Sequence, residues 1–334
     1  MSTLNRCIET IISDKLIKWN KFNKKTILIT GASGLYGKIT ALSLLNNNKI
    51  SVHLILQTRH KEALIPLLPS NSEKITYVES IDAINNSPID YIFHFSAPTR
   101  STDFSEKPVE TIKNMVDSTI KILDLAEKKK ATILYVSSME VYGQVNKLQI
   151  KEEELGLLDL YNVRSSYPES KRVSELLCYC AHKEKNLNVF IVRPTLTFGP
   201  GISASDNRVF AQFAKSVISG IPIVLHTEGA TCRDYIHIAD AVRGLFYIIL
   251  SDDKEISYNL SSPNTYTSIR GLAELFSEIG NVPVVVNSTL NKKQYAPEIH
   301  ISLNVEKLRS LGWRPIYGLK DTVKDLCDYM NEIL

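Results

Sequence analysis

The run Thr26-Ile27-Leu28-Ile29-Thr30-Gly31-Ala32-Ser33-Gly34-Leu35-Tyr36-Gly37 decides the class of this fold. Its apolar half, Thr26–Thr30, reads as a short strand, and Gly34–Leu45 reads as a helix. Three glycines at G-x-x-G-x-x-G spacing punctuate the turn between them. Gly31 permits the tight turn, Gly34 lets the backbone approach a pyrophosphate, and Gly37 lets the helix lie close on the strand. The helix N-terminus then faces the phosphates.

Outward from this block, strand and helix alternate. Val52–Gln57, Ile75–Val78, Tyr91–Phe95, Thr132–Ser137 and Val189–Arg193 read as strands, separated by helices at about 105–127 and 166–185. That alternation predicts an α/β fold, a Rossmann-type doubly wound parallel sheet covered on both faces. Past Gly201 the pattern turns mixed, with a helix near 207–219, a strand at 222–226 and a helix near 239–250. The expected organisation is an N-terminal helical extension (1–22), a dinucleotide-binding domain (23–200), and a smaller mixed α/β C-terminal lobe (201–334). That lobe is mainly substrate-binding, and its chain crosses back to the first domain. In the extension, Leu4, Ile8, Ile11, Ile12, Leu16 and Ile17 recur at helical spacing and predict one helix over 3–20 that packs on the body of the protein.

Composition excludes several classes. The chain has 334 residues, 44% apolar and 22% charged, as in an ordinary soluble globular protein. A net charge of +3 is too small to argue for nucleic acid or a membrane surface as partner. Lys128-Lys129-Lys130 fits a helix C-terminus, where cations oppose the dipole. Cys7, Cys178, Cys180, Cys232 and Cys327 fit neither a zinc pattern nor a disulfide framework, so reduced thiols, no metal and a cytoplasmic location are expected. No apolar run reaches membrane-spanning length, and the N-terminus lacks the pattern of a signal peptide.

Chemistry enters with Ser165-Ser166-Tyr167-Pro168-Glu169-Ser170-Lys171 and Val136-Ser137-Ser138-Met139-Glu140-Val141-Tyr142-Gly143. Tyr167 and Lys171, four residues apart, share one helix face. An ammonium beside a phenol lowers the phenol pKa, so the tyrosine can trade a proton with a sugar hydroxyl. Together with the glycine block, these segments resemble the extended short-chain dehydrogenase/reductase family, and within it the epimerase/dehydratase branch that modifies nucleotide sugars. The resemblance runs from about Lys25 to Trp313. It includes Tyr91-Ile92-Phe93-His94-Phe95-Ser96-Ala97-Pro98, Arg193-Pro194 before Phe198-Gly199-Pro200-Gly201, and Arg233-Asp234-Tyr235-Ile236-His237-Ile238-Ala239-Asp240.

The resemblance implies Ser138 as the hydroxyl that binds the reacting sugar oxygen, Tyr167 as its acid/base and Lys171 as the group that tunes Tyr167 and binds the nicotinamide ribose. Glu140 stands near the substrate as an acid, a base or a hydroxyl-orienting group. The implied cofactor is NADP or NAD, expected to be bound by Gly31, Ser33, Gly34, Leu35, Gly37, Gln57, Arg59, Glu79, Ser96, Ala97, Tyr167, Lys171 and Arg193. The second strand ends Leu56-Gln57-Thr58-Arg59, without the carboxylate that would hold an NAD ribose. Arg59 suits a 2′-phosphate instead and tilts the expectation to NADP. His94 is expected to be structural.

On the substrate side, Ser138, Met139 and Glu140 are expected to line the sugar, Arg208 and Arg233 to meet the diphosphate, and Gln212 and Phe213 to face the base. Relatives that eliminate water carry an Asp-Glu pair after the catalytic hydroxyl residue. Here the pair is Met139-Glu140, and Met139 has no proton to give. The implied reaction is hydride transfer at C4 of a nucleotide hexose, by 4-keto reduction or C4 epimerisation, in surface-polysaccharide sugar synthesis. A 4,6-dehydratase or a UDP-glucuronate decarboxylase is the alternative, and a non-catalytic dinucleotide-sensing protein stands behind both. Arg164-Ser165-Ser166-Tyr167 resembles the decarboxylases, whereas Pro297-Glu298-Ile299-His300 lacks the arginine they keep before Leu311-Gly312-Trp313. The resemblance also implies a homodimer paired through the helices at about 105–127 and 166–185, with Ile112, Met115, Ile122 and Leu125 at helical spacing on the first.

Overall fold

A computed structural model describes residues 1–68, 72–84, 87–97, 101–145, 147–253, 255–287 and 298–334. Pro98 and Pro297, noted in the sequence, lie outside these residues. The strands are β1 (Lys25–Thr30), β2 (Val52–Gln57), β3 (Ile75–Val78), β4 (Tyr91–His94), β5 (Thr132–Val136), β6 (Lys147–Ile150), β7 (Val189–Pro194), β8 (Leu196–Phe198), β9 (Ile223–Leu225), β10 (Cys232–His237), β11 (Ser257–Leu260), β12 (Ser262–Ser268), β13 (Val284–Val286) and β14 (His300–Leu303). The helices are α1 (Thr3–Ile12), α2 (Leu35–Asn46), α3 (Ser101–Glu106), α4 (Pro108–Lys129), α5 (Ser166–Lys185), α6 (Val209–Ile218), α7 (Ile238–Ile249), α8 (Ile269–Gly280), α9 (Glu306–Ser310) and α10 (Leu319–Ile333).

The seven-stranded sheet runs β3-β2-β1-β4-β5-β7-β11. Every pairing in it is parallel. Helices cover both faces, which is why β1 and β7 are apolar on consecutive residues rather than alternate ones. Strand order reverses beside β1, which has β2 on one flank and β4 on the other. Ligand crevices open at the C-terminal ends of strands at such a reversal. This is the Rossmann-type sheet read from the sequence. β11 comes from the C-terminal third of the chain and completes its edge.

A smaller mixed sheet runs β12-β10-β14-β6, with β8 on β10, and β9 pairs β13. Its core packs Phe198, Phe210, Phe213, Tyr235 and Phe276 against α6, α8 and α10. Phe213 is therefore turned into this core and away from any bound base. Gln212 is exposed and donates its amide to the Asn207 carbonyl.

Two helix expectations need correction. The N-terminal helix stops at Ile12 instead of running to residue 20. Asp14 is the cause: its carboxylate takes the Arg243 guanidinium at 2.6 Å and the Leu16 N–H at 2.9 Å, and its carbonyl accepts from the Trp19 indole. The chain leaves the helix there and still buries Ile17, Trp19 and Phe22 beside Phe246. Cys7, Ile8 and Ile11 of α1 belong to the same core, so the extension packs on the body of the protein. The helix expected at 105–127 is two helices, α3 and α4. Lys107, which precedes Pro108, sits at φ −133° and ψ 53°, outside helical space, because a proline ring crowds the residue before it. Lys128 and Lys129 occupy the last turn of α4, as the dipole favours. Among the described residues no helix is long and apolar enough to cross a membrane.

Candidate active site

The glycine turn is built by exclusion. Gly31 has φ +62°, and a Cβ on it would meet the Phe95 and Ser96 backbone at 3.1 Å. A Cβ on Gly37 would lie 2.5 Å from the Gly31 carbonyl oxygen and 2.6 Å from the Ala32 Cα. Both positions require glycine for backbone to pass backbone, and Gly34 forms the N-cap of α2, leading into Leu35. The first-turn amides of α2 thus point outward from the C-terminal ends of β1 and β4.

Thr30 ties this turn to the next strand. Its hydroxyl accepts the Phe95 and Ser96 N–H groups, both at 3.2 Å, so it donates its own proton to His94 Nδ1 at 2.7 Å. His94 is buried, and burial, with the Lys171 charge second, pushes its pKa down to about 3. The ring is neutral and structural, as the sequence suggested. Ser96 and Ala97 follow at the edge of the same turn.

The expected ribose side is arranged differently from its sequence reading. Gln57 spends its amide on the turn: Oε1 accepts the Gly31 N–H at 3.2 Å and Nε2 donates to the Glu79 carbonyl at 2.9 Å. Ser33 accepts from the Thr58 hydroxyl at 3.0 Å. Arg59 stands exposed just beyond, with no ion pair among the described residues. Glu79 is exposed as well.

Ser138 caps the turn Met139–Tyr142 by accepting the Glu140 N–H at 3.1 Å. Its hydroxyl reaches the Tyr167 phenol, on the first turn of α5. Lys171, one turn on, is buried and donates to the Val136 carbonyl at 2.7 Å; its Nζ lies 5.9 Å from the Tyr167 ring centre. The fold therefore brings Ser138, Tyr167 and Lys171 together at the C-terminal end of β5. The electrostatics differ from the simple expectation that Lys171 lowers the phenol. Burial, then the Glu140 charge, pushes Tyr167 well above its usual range, against Ser138, Arg164 and Arg208, which pull it down. Burial pushes Lys171 down to about 8, against the charges of Glu175 and Cys178.

That depression has a testable sign. The folded-state pKa of Lys171 lies below its unfolded value, so its protonated form opposes folding below about pH 8. The opposition fades as pH rises from about 8 towards 10.5. Lys171→Met should raise stability at pH 7 by roughly 3 kcal/mol, the depression from 10.5 to about 8 at 1.36 kcal/mol per unit. Urea unfolding at pH 7 and pH 10 checks this. The wild type should gain stability across that window relative to the variant; a less stable variant at pH 7 would contradict the assignment.

Several other residues sit where the sequence did not place them. Arg193 is buried away from the cofactor turn. Its guanidinium grips Glu175 at 2.6 Å, the Tyr142 hydroxyl at 3.1 Å and the Glu152 carbonyl at 2.6 Å. It cannot contact a dinucleotide without breaking that network. Met139 is 6% exposed and packs against Ile150, Ile301 and Leu303, with its sulfur accepting from the Thr195 hydroxyl at 3.3 Å. It faces the core rather than the sugar. Arg208 is paired with Asp206 at 2.6 Å and lies over the Phe210 ring, although its charge still reaches Tyr167. Arg233 keeps its role open: it has no ion pair among the described residues, its Nε is buried without a partner, and burial lowers its pKa.

Two neighbours escaped the sequence reading. Phe104 of α3 stacks on Tyr167 with ring centres 4.2 Å apart and planes 14° apart. Arg164 forms a two-pronged ion pair with Glu140 at 2.9 and 3.3 Å. Phe104 lay just ahead of the helix expected at 105–127 and had no assigned role. Arg164, three residues before Tyr167, was visible in the motif but had no assigned partner.

The family model described as the NAD dependent epimerase/dehydratase family matches residues 27–261. UDP-glucuronic acid decarboxylase 5 of Arabidopsis thaliana is 30% identical over 237 residues, covering 70% of this chain and 67% of that protein. UDP-glucuronic acid decarboxylase 1 of Xenopus tropicalis is 25% identical over 323 residues, covering 93% and 73%. Among solved structures, a UDP-glucuronic acid 4-epimerase from Bacillus cereus in complex with NAD superposes with a TM-score of 0.75 at 20% identity, covering 92% of this chain and 97% of that one. The epimerase Mth375 of Methanothermobacter thermautotrophicus gives 0.81 at 19% identity, covering 97% and 96%. At such identities the structures speak for the fold.

Proposed function

Because this chain belongs to the NAD dependent epimerase/dehydratase family, we propose that it transfers a hydride at C4 of a nucleotide sugar, in a cleft at the C-terminal edge of the large sheet. The observation that carries this reading is the convergence of Ser138, Tyr167 and Lys171 beside the glycine turn. Ser138 holds the reacting sugar oxygen, Tyr167 takes or returns its proton, and Lys171 keeps the phenol side of the cleft cationic. A bound nicotinamide cofactor supplies the hydride acceptor and donor. The residues fit such a group: the Gly31, Gly34 and Gly37 turn gives a backbone cradle at a helix N-terminus. Arg233, a half-buried cation with a buried, unpartnered Nε and no ion pair among the described residues, suits the diphosphate of the sugar nucleotide.

NADP is the cofactor the ribose side favours. Gln57 is occupied in the turn, no carboxylate ends β2, and Arg59 is exposed there without an ion pair among the described residues. Arg59→Ala should weaken NADP(H) by roughly 1.5–3 kcal/mol and leave NAD(H) nearly unchanged. Calorimetry on both cofactors checks this. Tight NAD and negligible NADP binding by the wild type would contradict it.

The curated relatives favour a second reading, decarboxylation of UDP-glucuronic acid. A ketone at C4 makes the C6 carboxylate a β-keto acid, which loses carbon dioxide without a further catalyst residue. Either reading starts with the same hydride step, so mass spectrometry on UDP-glucuronic acid, UDP-glucose and a nucleotide 4-keto-6-deoxyhexose separates them. Two added hydrogens mark reduction, an unchanged mass with a new retention time marks epimerisation, and lost carbon dioxide marks decarboxylation. Loss of water is not expected, because Met139 has no proton to give and is buried.

A homodimer through α4 and α5 fits the exposed apolar residues Val109, Ile112, Ile120, Val173 and Leu176 on those helices. Of the residues first read as its face, Met115 and Ile122 are buried in the protein's own core, Leu125 is half-buried, and Ile112 alone among the four is exposed. Light scattering at micromolar concentration should give twice the chain mass; a monomer would contradict the dimer.

A further inference from the structure

We propose that Arg164 is a positioning residue: its two-pronged bond holds Glu140 at the reacting sugar and keeps that carboxylate off Arg233. This rests on the cleft assignment above and concerns a residue with no role in it so far.

The pair is built from both ends. Glu140 is fixed through its N–H on the Ser138 hydroxyl. Arg164 is fixed through its N–H on the Asn162 side chain at 3.0 Å, within the turn Val163–Ser165. The Ser165 hydroxyl braces that turn on the Asp159 carbonyl at 2.6 Å. The turn runs directly into α5 and Tyr167. Ser138, Glu140, Arg164 and Tyr167 thus close a ring, two members from each segment. Side-chain exposures of 40% for Arg164 and 33% for Glu140 place the pair at the open cleft. A pair this exposed adds little to stability. Its two-pronged geometry fixes direction instead.

Direction matters because of Arg233. The Glu140 charge acts on Arg233, and so does that of Arg164 with the opposite sign. Arg233 has a buried Nε without a partner among the described residues. Freed from Arg164, Glu140 has a half-buried guanidinium with an unpartnered Nε to turn to, and capture there would cancel the charge meant for the nucleotide. The same release leaves Glu140 uncompensated at Tyr167, whose charged neighbours are Glu140, Arg164, Arg208 and Lys171.

A double-mutant cycle with UDP as the probe tests this without turnover. Arg164→Met should weaken UDP binding several-fold by calorimetry. Glu140→Gln with Arg164→Met should restore near wild-type affinity, because no carboxylate remains to capture Arg233. In turnover, Arg164→Met should lower kcat about ten-fold and move the ascending limb of the pH profile upward, while Arg164→Lys recovers part of the loss. The two substitutions should be non-additive in kcat. An equal loss of UDP affinity with or without Glu140 would overturn the proposal, since Arg164 would then hold the nucleotide itself. Unchanged UDP affinity in Arg164→Met would also overturn it. A fully active Tyr167→Phe protein would instead sink the cleft assignment and leave the UDP cycle readable.

Discussion

Replacing Tyr167 by Phe is expected to lower turnover by roughly 10²–10⁴-fold, the usual worth of a general acid–base group. The phenol oxygen is what Ser138 and the cleft charges act on. The ring itself should stay in place. Its stacking on Phe104 needs no hydroxyl, and the Ser166 hydroxyl independently holds the Phe104 carbonyl at 2.9 Å. UDP and cofactor affinities should therefore change little. Single-turnover kinetics with matched calorimetry makes the check. Wild-type rates in a folded Tyr167→Phe protein would remove Tyr167 from the chemistry.

Glu175→Ala is expected to be the most destabilising single change considered, by roughly 3–5 kcal/mol, as when one partner of a buried ion pair is removed. Glu175 sits one turn beyond Lys171 and takes Arg193 through Nε and Nη2 at 2.6 to 3.2 Å. Both side chains are at most 10% exposed. Without the carboxylate, the guanidinium keeps Tyr142 and the Glu152 carbonyl but loses its only counter-charge within ion-pair distance among the described residues. Glu175→Gln should cost less, since the amide oxygen still accepts. The damage should also reach the cleft, because Glu175 is the largest influence holding the Lys171 pKa up against burial. Urea denaturation should show the loss. A shift under 1 kcal/mol would mean that the network relaxes around the gap.

The parts of this protein legible in its sequence are those governed by local rules. The glycine turn shows in the spacing of Gly31, Gly34 and Gly37, with a Cβ at Gly37 excluded by Gly31 and Ala32 within seven residues, and α5 spans Ser166–Lys185 as its pattern indicated. The parallel sheet follows from alternating elements. What was misread depends on groups distant in the chain. The early end of α1 is set by Arg243, more than two hundred residues from Asp14. Arg193 looked like a cofactor ligand because its motif lies beside the site, but its guanidinium is taken up by Glu175, the Tyr142 hydroxyl and the Glu152 carbonyl. Met139 was placed at the sugar by its neighbours Ser138 and Glu140. The tight turn rotates it into the core while they stay at the cleft. The break at Lys107 had a local signal, Pro108, that helical periodicity across 105–127 outweighed.

The central claim, hydride transfer at C4 of a nucleotide sugar, is tested most directly by label transfer. The protein with bound oxidised cofactor would be mixed with UDP-glucuronic acid or UDP-glucose carrying deuterium at C4, quenched during turnover, and its nicotinamide analysed by mass spectrometry. Deuterium on the reduced nicotinamide is the predicted result, and Tyr167→Phe should nearly abolish it. Product formed while the label stays on the sugar and the nicotinamide remains unlabelled would contradict the account.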